Sequence, residues 1–95
     1  MRIFWSPQAR DDLLEMVRYL SDKNPYAAKS LYDRIETIAD DLMASPYSGR
    51  PGRVPGTREL VVTNTPYILP YQIRQERIEI LRVYHSARKW PGKFG

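Results

Sequence analysis

The sequence predicts an α+β fold: an N-terminal strand, then a two-helix hairpin packed on a small twisted sheet made mainly of a C-terminal three-stranded antiparallel meander. Three observations predict it. The first half carries two apolar stripes at helical spacing, each opened by a cap-plus-proline signal. The second half carries three strand-like runs separated by turns of three residues. Ninety-five residues with 42% hydrophobic content suit one domain, residues 1–95, with a single core.

Arg2 to Trp5 (RIFW) is short, β-branched and aromatic, the signature of a brief strand. Ser6-Pro7 follows, an N-cap with proline at the first helical position. Ala9, Leu13, Met16, Val17 and Leu20 then mark a helix over residues 7–21, with Asp11 and Asp12 placed to complement its dipole. Asn24-Pro25 repeats the cap, and Ala28, Leu31, Ile35, Ile38 and Leu42 form the second stripe, which ends before Ser45-Pro46. A connection of three or four residues folds the helices into a hairpin. Stripes of this kind are read as core rather than as a cofactor box.

Ser45 to Gly56 (SPYSGRPGRVPG) holds three prolines and three glycines and is read as a connector. It carries Arg50 and Arg53, but it lacks the spacing of a phosphate-binding loop and opens no helix. Residues 57–63, 67–73 and 77–85 are the meander strands. Pro70 removes a ladder donor from the middle strand, which predicts a bulge or widened pairing beside it. In regular alternation Ile78 and Ile80 share a face with Arg82 and Tyr84, while Leu81 and Val83 fall on the other with His85. Apolar groups on both faces mean that both are at least partly covered. The helices cover one, and only the short tail remains for the other, so part of this sheet is expected to be covered by a second polypeptide. The alternatives are exposed side chains or a bulge that flips the register.

The charge is uneven. Residues 1–48 hold six Lys/Arg against eight Asp/Glu, and residues 49–95 nine against three, for a net +4. A basic second half serves an acidic or polyanionic partner and equally a solubilising surface. There is no cysteine, which excludes disulfides and thiolate metal sites and points to a reducing cytoplasm. One histidine leaves no His-based metal cluster, and neither a metal nor a cofactor is expected. No apolar run is long enough to span a membrane, and the N-terminus does not read as a signal peptide.

The chemistry-bearing residues gather toward the end, in Ile78 to Pro91 (IEILRVYHSARKWP). Arg58, Arg82, His85, Arg88 and Lys89 sit on strands or strand ends that a meander draws together. Guanidinium forks suit phosphate or carboxylate, and an imidazole can move protons near neutral pH. An RNA-cleaving site with a base, cations and an acid can be assembled from Arg58, His85 and Arg88. The plainer reading pairs Arg58 with Glu59 or Glu79 and uses His85 as a strand cap.

Six segments together resemble the RelE/ParE superfamily of toxins from bacterial type II toxin–antitoxin systems: WSPQARDDL (5–13), NPYAA (24–28), GRPG (49–52), GTRELVV (56–62), YILPYQI (67–73) and IEILRVYHSARKWP (78–91). The resemblance implies two helices on a small twisted sheet, with the first strand joining the meander. It also implies a partner, a cognate antitoxin that wraps the toxin and itself carries any operator DNA contact. RelE-like members cut mRNA on the ribosome with lysines on the first meander strand, an arginine on the second, an arginine after the last and a tyrosine in the tail. The matching positions here are Glu59 and Val61, Ile68, Arg88, and Phe94 or nothing. Most of that set is absent, so the resemblance lies nearer ParE, whose members inhibit DNA gyrase and are not enzymes themselves. It implies target contacts from Arg82, His85, Arg88, Lys89, Trp90 and Lys93. Antitoxin contacts are expected from Arg10, Leu14, Arg18, Arg58, Leu81 and Val83. The alternatives are a RelE-like endonuclease, acting on the ribosome and its mRNA, and a non-toxic basic binding domain.

Overall fold

Both helices begin where their caps are encoded. In the computed structural model, which describes residues 1–94, β1 (Arg2–Trp5) leads into α1 (Pro7–Ser21) and then α2 (Pro25–Asp41). The Ser6 hydroxyl accepts from the Ala9 N–H at 2.9 Å, and Asn24 Oδ1 accepts from Ala27 at 3.1 Å. Ser6 also anchors the helix to the sheet: its backbone N–H donates to Ile80 and its hydroxyl to the Leu81 carbonyl. The second half forms β2 (Arg50–Pro51), β3 (Arg58–Val61), β4 (Tyr67–Arg74), β5 (Arg77–Ile80) and β6 (Tyr84–His85). The sheet order is β1-β5-β4-β3-β2, with β1 parallel to β5 and β6 paired to β4. The α+β architecture is therefore two helices on a mixed six-stranded sheet.

One side of the sheet meets the helices. Ala9, Leu13 and Met16 of α1 and Ile35 and Ala39 of α2 close over Leu69, Tyr71, Ile78 and Ile80. Asp12 lies on the same stripe, at the second position of the series 9, 12, 13, 16. It does not serve the helix dipole, as the sequence suggested, but accepts from Arg82 Nε at 2.7 Å, Arg82 Nη2 at 2.9 Å and the Val83 N–H at 3.0 Å.

The expected third meander strand is two strands. Tyr71 pairs with Ile80, but Ile68 pairs with Tyr84, so Leu81, Arg82 and Val83 stand opposite only Leu69 and Pro70. This is a bulge of one extra residue. The Pro70 carbonyl accepts from Leu81 at 2.9 Å, so the edge of Pro70 that lacks a donor faces the bulge, as anticipated, while β3 pairs undisturbed on its other side. Asp12 takes the Val83 N–H that the bulge removes from the ladder.

The bulge corrects the face assignment. Val83 is 5% exposed and joins Ile78 and Ile80 in the helix-side core; it does not share an outer face with Leu81. Tyr84 is turned to the far side. On this side the chain itself covers Tyr84. Trp90 packs edge-on to Tyr84 with centroids 5.1 Å apart, and Phe94 lies 6.0 Å from the same ring.

The connector is held more firmly than its composition suggests. The buried Tyr71 hydroxyl donates to the Pro46 carbonyl at 2.8 Å and accepts from the Gly49 N–H at 2.9 Å. A Cβ on Gly49 would stand 2.6 Å from the Tyr71 ring and hydroxyl, so only glycine fits. The short β2, not foreseen in this loop, pairs Arg50 with Glu59 and Pro51 with Arg58.

Candidate functional site

The far side of the sheet carries a groove of ≈ 700 Å³ between the connector and the tail. Its floor includes Gln72 and Tyr84, one wall Val54, Pro55 and Thr57, and the other Trp90, Pro91 and Phe94. Arg74, Arg82, Arg88, Lys89 and Lys93 line it, and among the described residues no Asp or Glu does. Arg74 terminates β4, Arg82 sits in the bulge, and the other three cations belong to the tail.

These cations are not equivalent. Arg82 is committed to Asp12, whose hydrogen bonds, foremost, hold the guanidinium above its ordinary pKa despite burial. Its charge is locked and already compensated. Arg88 lies over the Tyr84 ring at 4.4 Å. Among the described residues Arg74, Arg88, Lys89 and Lys93 enter none of the ion pairs. The groove thus presents uncompensated positive charge above an aromatic floor, suited to an acidic or phosphate-bearing surface.

Beside it lies a buried ion cluster. Glu59 is 3% exposed and accepts from Arg50 Nη2 at 2.9 Å, from Arg53 Nε at 3.1 Å and from the Arg53 N–H at 2.8 Å. Burial pushes its carboxyl up, but the Arg53 N–H, the two guanidinium hydrogen bonds and the Arg53 charge together bring it below the ordinary value. The arginines of the connector therefore neutralise a strand carboxylate.

The residues from which a nuclease was assembled do not meet. Arg58 stands opposite Tyr71 on one side of β4, and His85 opposite Tyr67 on the other. That places them about 13 Å apart along the strand and about 10 Å across it. Arg58 pairs with neither Glu59 nor Glu79; it donates to the Tyr47 and Gly49 carbonyls. His85 is exposed, lies edge-on to Tyr67 at 5.6 Å, and accepts the Ala87 N–H on Nδ1. Arg88 lies on the opposite face, over Tyr84. Glu59 is consumed by its arginines, and Ile68 is 5% exposed.

The other expected contacts divide as well. Arg10, Leu14 and Arg18 are exposed along one side of α1, with Leu14 at 56%. Leu81 is half-buried, and Val83 offers no surface. Lys89, Trp90 and Lys93 gather at the groove with Arg88, whereas Arg82 is engaged and His85 faces away. Sequence reasoning missed Arg74, Asp12 and the pairing of Glu59. A carboxylate on an apolar helical stripe was the available sign for Asp12. Arg74 gave none, since it reads as a turn residue.

Comparison with known proteins gives the family. The family described as "ParE toxin of type II toxin-antitoxin system, parDE" matches residues 3–90. A Sinorhizobium fredii protein with the toxin designation Y4kP is 44% identical over 95% of this chain and 93% of its own length. Toxin RelE2 of Caulobacter vibrioides is 33% identical over 92% and 97%. A solved chain of the chromosomal ParDE TA system from P. aeruginosa superposes with a TM-score of 0.82 at 27% identity, covering 90% of this chain and 95% of that one. This chain belongs to the ParE toxin family of type II toxin–antitoxin systems.

Proposed function

We propose that this toxin acts by binding DNA gyrase and trapping its DNA cleavage complex, and that it has no nuclease activity of its own. One observation carries the reading: where the nuclease branch needs cations, this chain holds the paired, buried Glu59 and the buried Ile68, while Arg88, Lys89 and Lys93 remain uncompensated around the groove. The tail cations and Trp90 supply the target contacts. The cognate antitoxin lies along Arg10, Leu14 and Arg18 of α1, as an amphipathic segment that covers the exposed Leu14 and meets the two arginines with carboxylates. Supercoiling by purified gyrase with added toxin tests the reading. Inhibition with accumulated cleaved DNA is expected; normal supercoiling beside full growth arrest in cells would sink it.

The RelE designation of the Caulobacter relative favours a second reading, cleavage of ribosome-bound mRNA. In this reading Arg88 is the surviving member of the set. Cleavage abolished by Arg88→Ala would establish it, and intact message during growth arrest would remove it.

A further inference from the structure

The tail that carries the free cations is held in an unusual way. Ser86 donates to the Pro66 carbonyl and Arg88 to that of His85. Beyond them, among the described residues, no hydrogen bond fastens 89–94 to the rest of the chain. Side-chain rings hold it instead. The Arg53 guanidinium lies 3.9 Å from the centroid of the Trp90 ring, and Tyr84 meets that ring edge-on from the sheet. Arg53 is itself fixed, since Glu59 accepts from its Nε at 3.1 Å and from its backbone N–H at 2.8 Å.

Arg50 supplies Glu59 with one guanidinium, its Nε and Nη2 at 3.1 and 2.9 Å from Oε1, and Arg53 serves Oε2. The second arginine leaves its side chain 42% exposed, with its guanidinium carbon over the indole. The indole is incompletely satisfied, because Trp90 Nε1 is buried without a partner. An orphaned donor favours the undocked tail, where water would take that N–H. The stacking on Arg53 favours the docked one. Two opposed terms of similar size leave the docked state dependent on the guanidinium.

We propose that Arg53 is the positioning residue of the basic tail. Held by Glu59, its guanidinium plane is the surface on which Trp90 docks, and this docking sets Arg88, Lys89 and Lys93 around the groove. The inference rests on the reading that those cations engage the target. It assigns to the connector a part in toxicity that its own charges, spent on Glu59, do not suggest.

The test uses the full chain with Trp5→Phe, so that Trp90 is the remaining indole. In Arg53→Ala the docking equilibrium constant falls by about five- to tenfold, the size expected for a partly exposed cation–π contact. Trp90 emission shifts to the red, and acrylamide quenching rises toward that of the urea-unfolded chain. Growth arrest and gyrase inhibition weaken together. Arg53→Lys keeps the charge beside Glu59 without the planar face; it gives the same changes in smaller degree and carries the test if Arg53→Ala does not fold. Unchanged Trp90 quenching in both variants overturns the docking. Raised quenching with undiminished growth arrest overturns the positioning role. If unmodified toxin arrests growth but leaves gyrase untouched, the proposed target fails, while quenching and growth arrest still judge Arg53.

Discussion

Tyr71 shows how much a single hydroxyl can organise. It is fully buried, yet its oxygen satisfies the Pro46 carbonyl and the Gly49 N–H, pinning a loop rich in proline and glycine against the sheet. Tyr71→Phe leaves both groups buried without a partner and is expected to cost about 1–3 kcal/mol. Urea unfolding checks this as a lower midpoint with an unchanged slope. Gly49→Ala should fail by a different route, displacing the ring that its Cβ would meet at 2.6 Å. Glu59 adds a pH dependence. Its folded pKa lies below the ordinary value, so the stability it contributes is complete above the unfolded carboxylate pKa of about 4.3 and is lost as the pH falls through the lower folded value. Urea midpoints measured from pH 6 down to 3 should fall more steeply for the unmodified chain than for Glu59→Gln.

The elements were legible to different degrees, and the reasons are physical. Both helices and β1 follow from local signals, namely a side-chain cap, a proline and an apolar stripe, which depend little on the rest of the fold. The bulge was half legible. Pro70 announced it, but its consequence for Val83 and Tyr84 is a matter of register, which tertiary pairing decides. The two-residue β2 exists only because Glu59 draws Arg50 to the edge of β3, and no local pattern encodes that. The candidate site suffered most. Arg58, His85 and Arg88 are near in a list of strands, but the sheet separates the first two across β4 and puts the third on its other face. The turn between β4 and β5 carries a cost of its own. Gln75 and Glu76 have φ of 51° and 60°, left-handed values that side chains with a Cβ disfavour. Replacing the pair by Asn-Gly, the residues that a two-residue hairpin of this kind prefers, should raise stability by about 1–2 kcal/mol. A higher melting temperature at unchanged target inhibition checks it, because both residues are exposed at the hairpin tip.

Across the whole molecule, two surfaces lie on opposite sides of the sheet. The helix side presents Arg10, Leu14 and Arg18, and the far side presents the groove with the tail cations. The sheet between them is tied to α1 through Asp12, Arg82 and the Val83 N–H, so the two surfaces share a rigid frame without sharing side chains. If the antitoxin takes the first and the target the second, substitutions should separate neutralisation from toxicity. Leu14→Glu replaces an exposed leucine between Arg10 and Arg18, 56% accessible and away from the core. It should weaken antitoxin binding by about tenfold or more, as expected for an interface anchor, and leave growth arrest intact even when the antitoxin is co-expressed. Lys89→Glu combined with Lys93→Glu reverses exposed charges at the groove, where the effect on folding is within about 0.5 kcal/mol. It should abolish target inhibition, keep the urea midpoint and keep antitoxin affinity. Titration calorimetry against the antitoxin and supercoiling by gyrase read the two arms separately. Should Leu14→Glu or the paired lysine substitutions impair both activities alike, the two surfaces are one, and neutralisation works by direct competition at the groove.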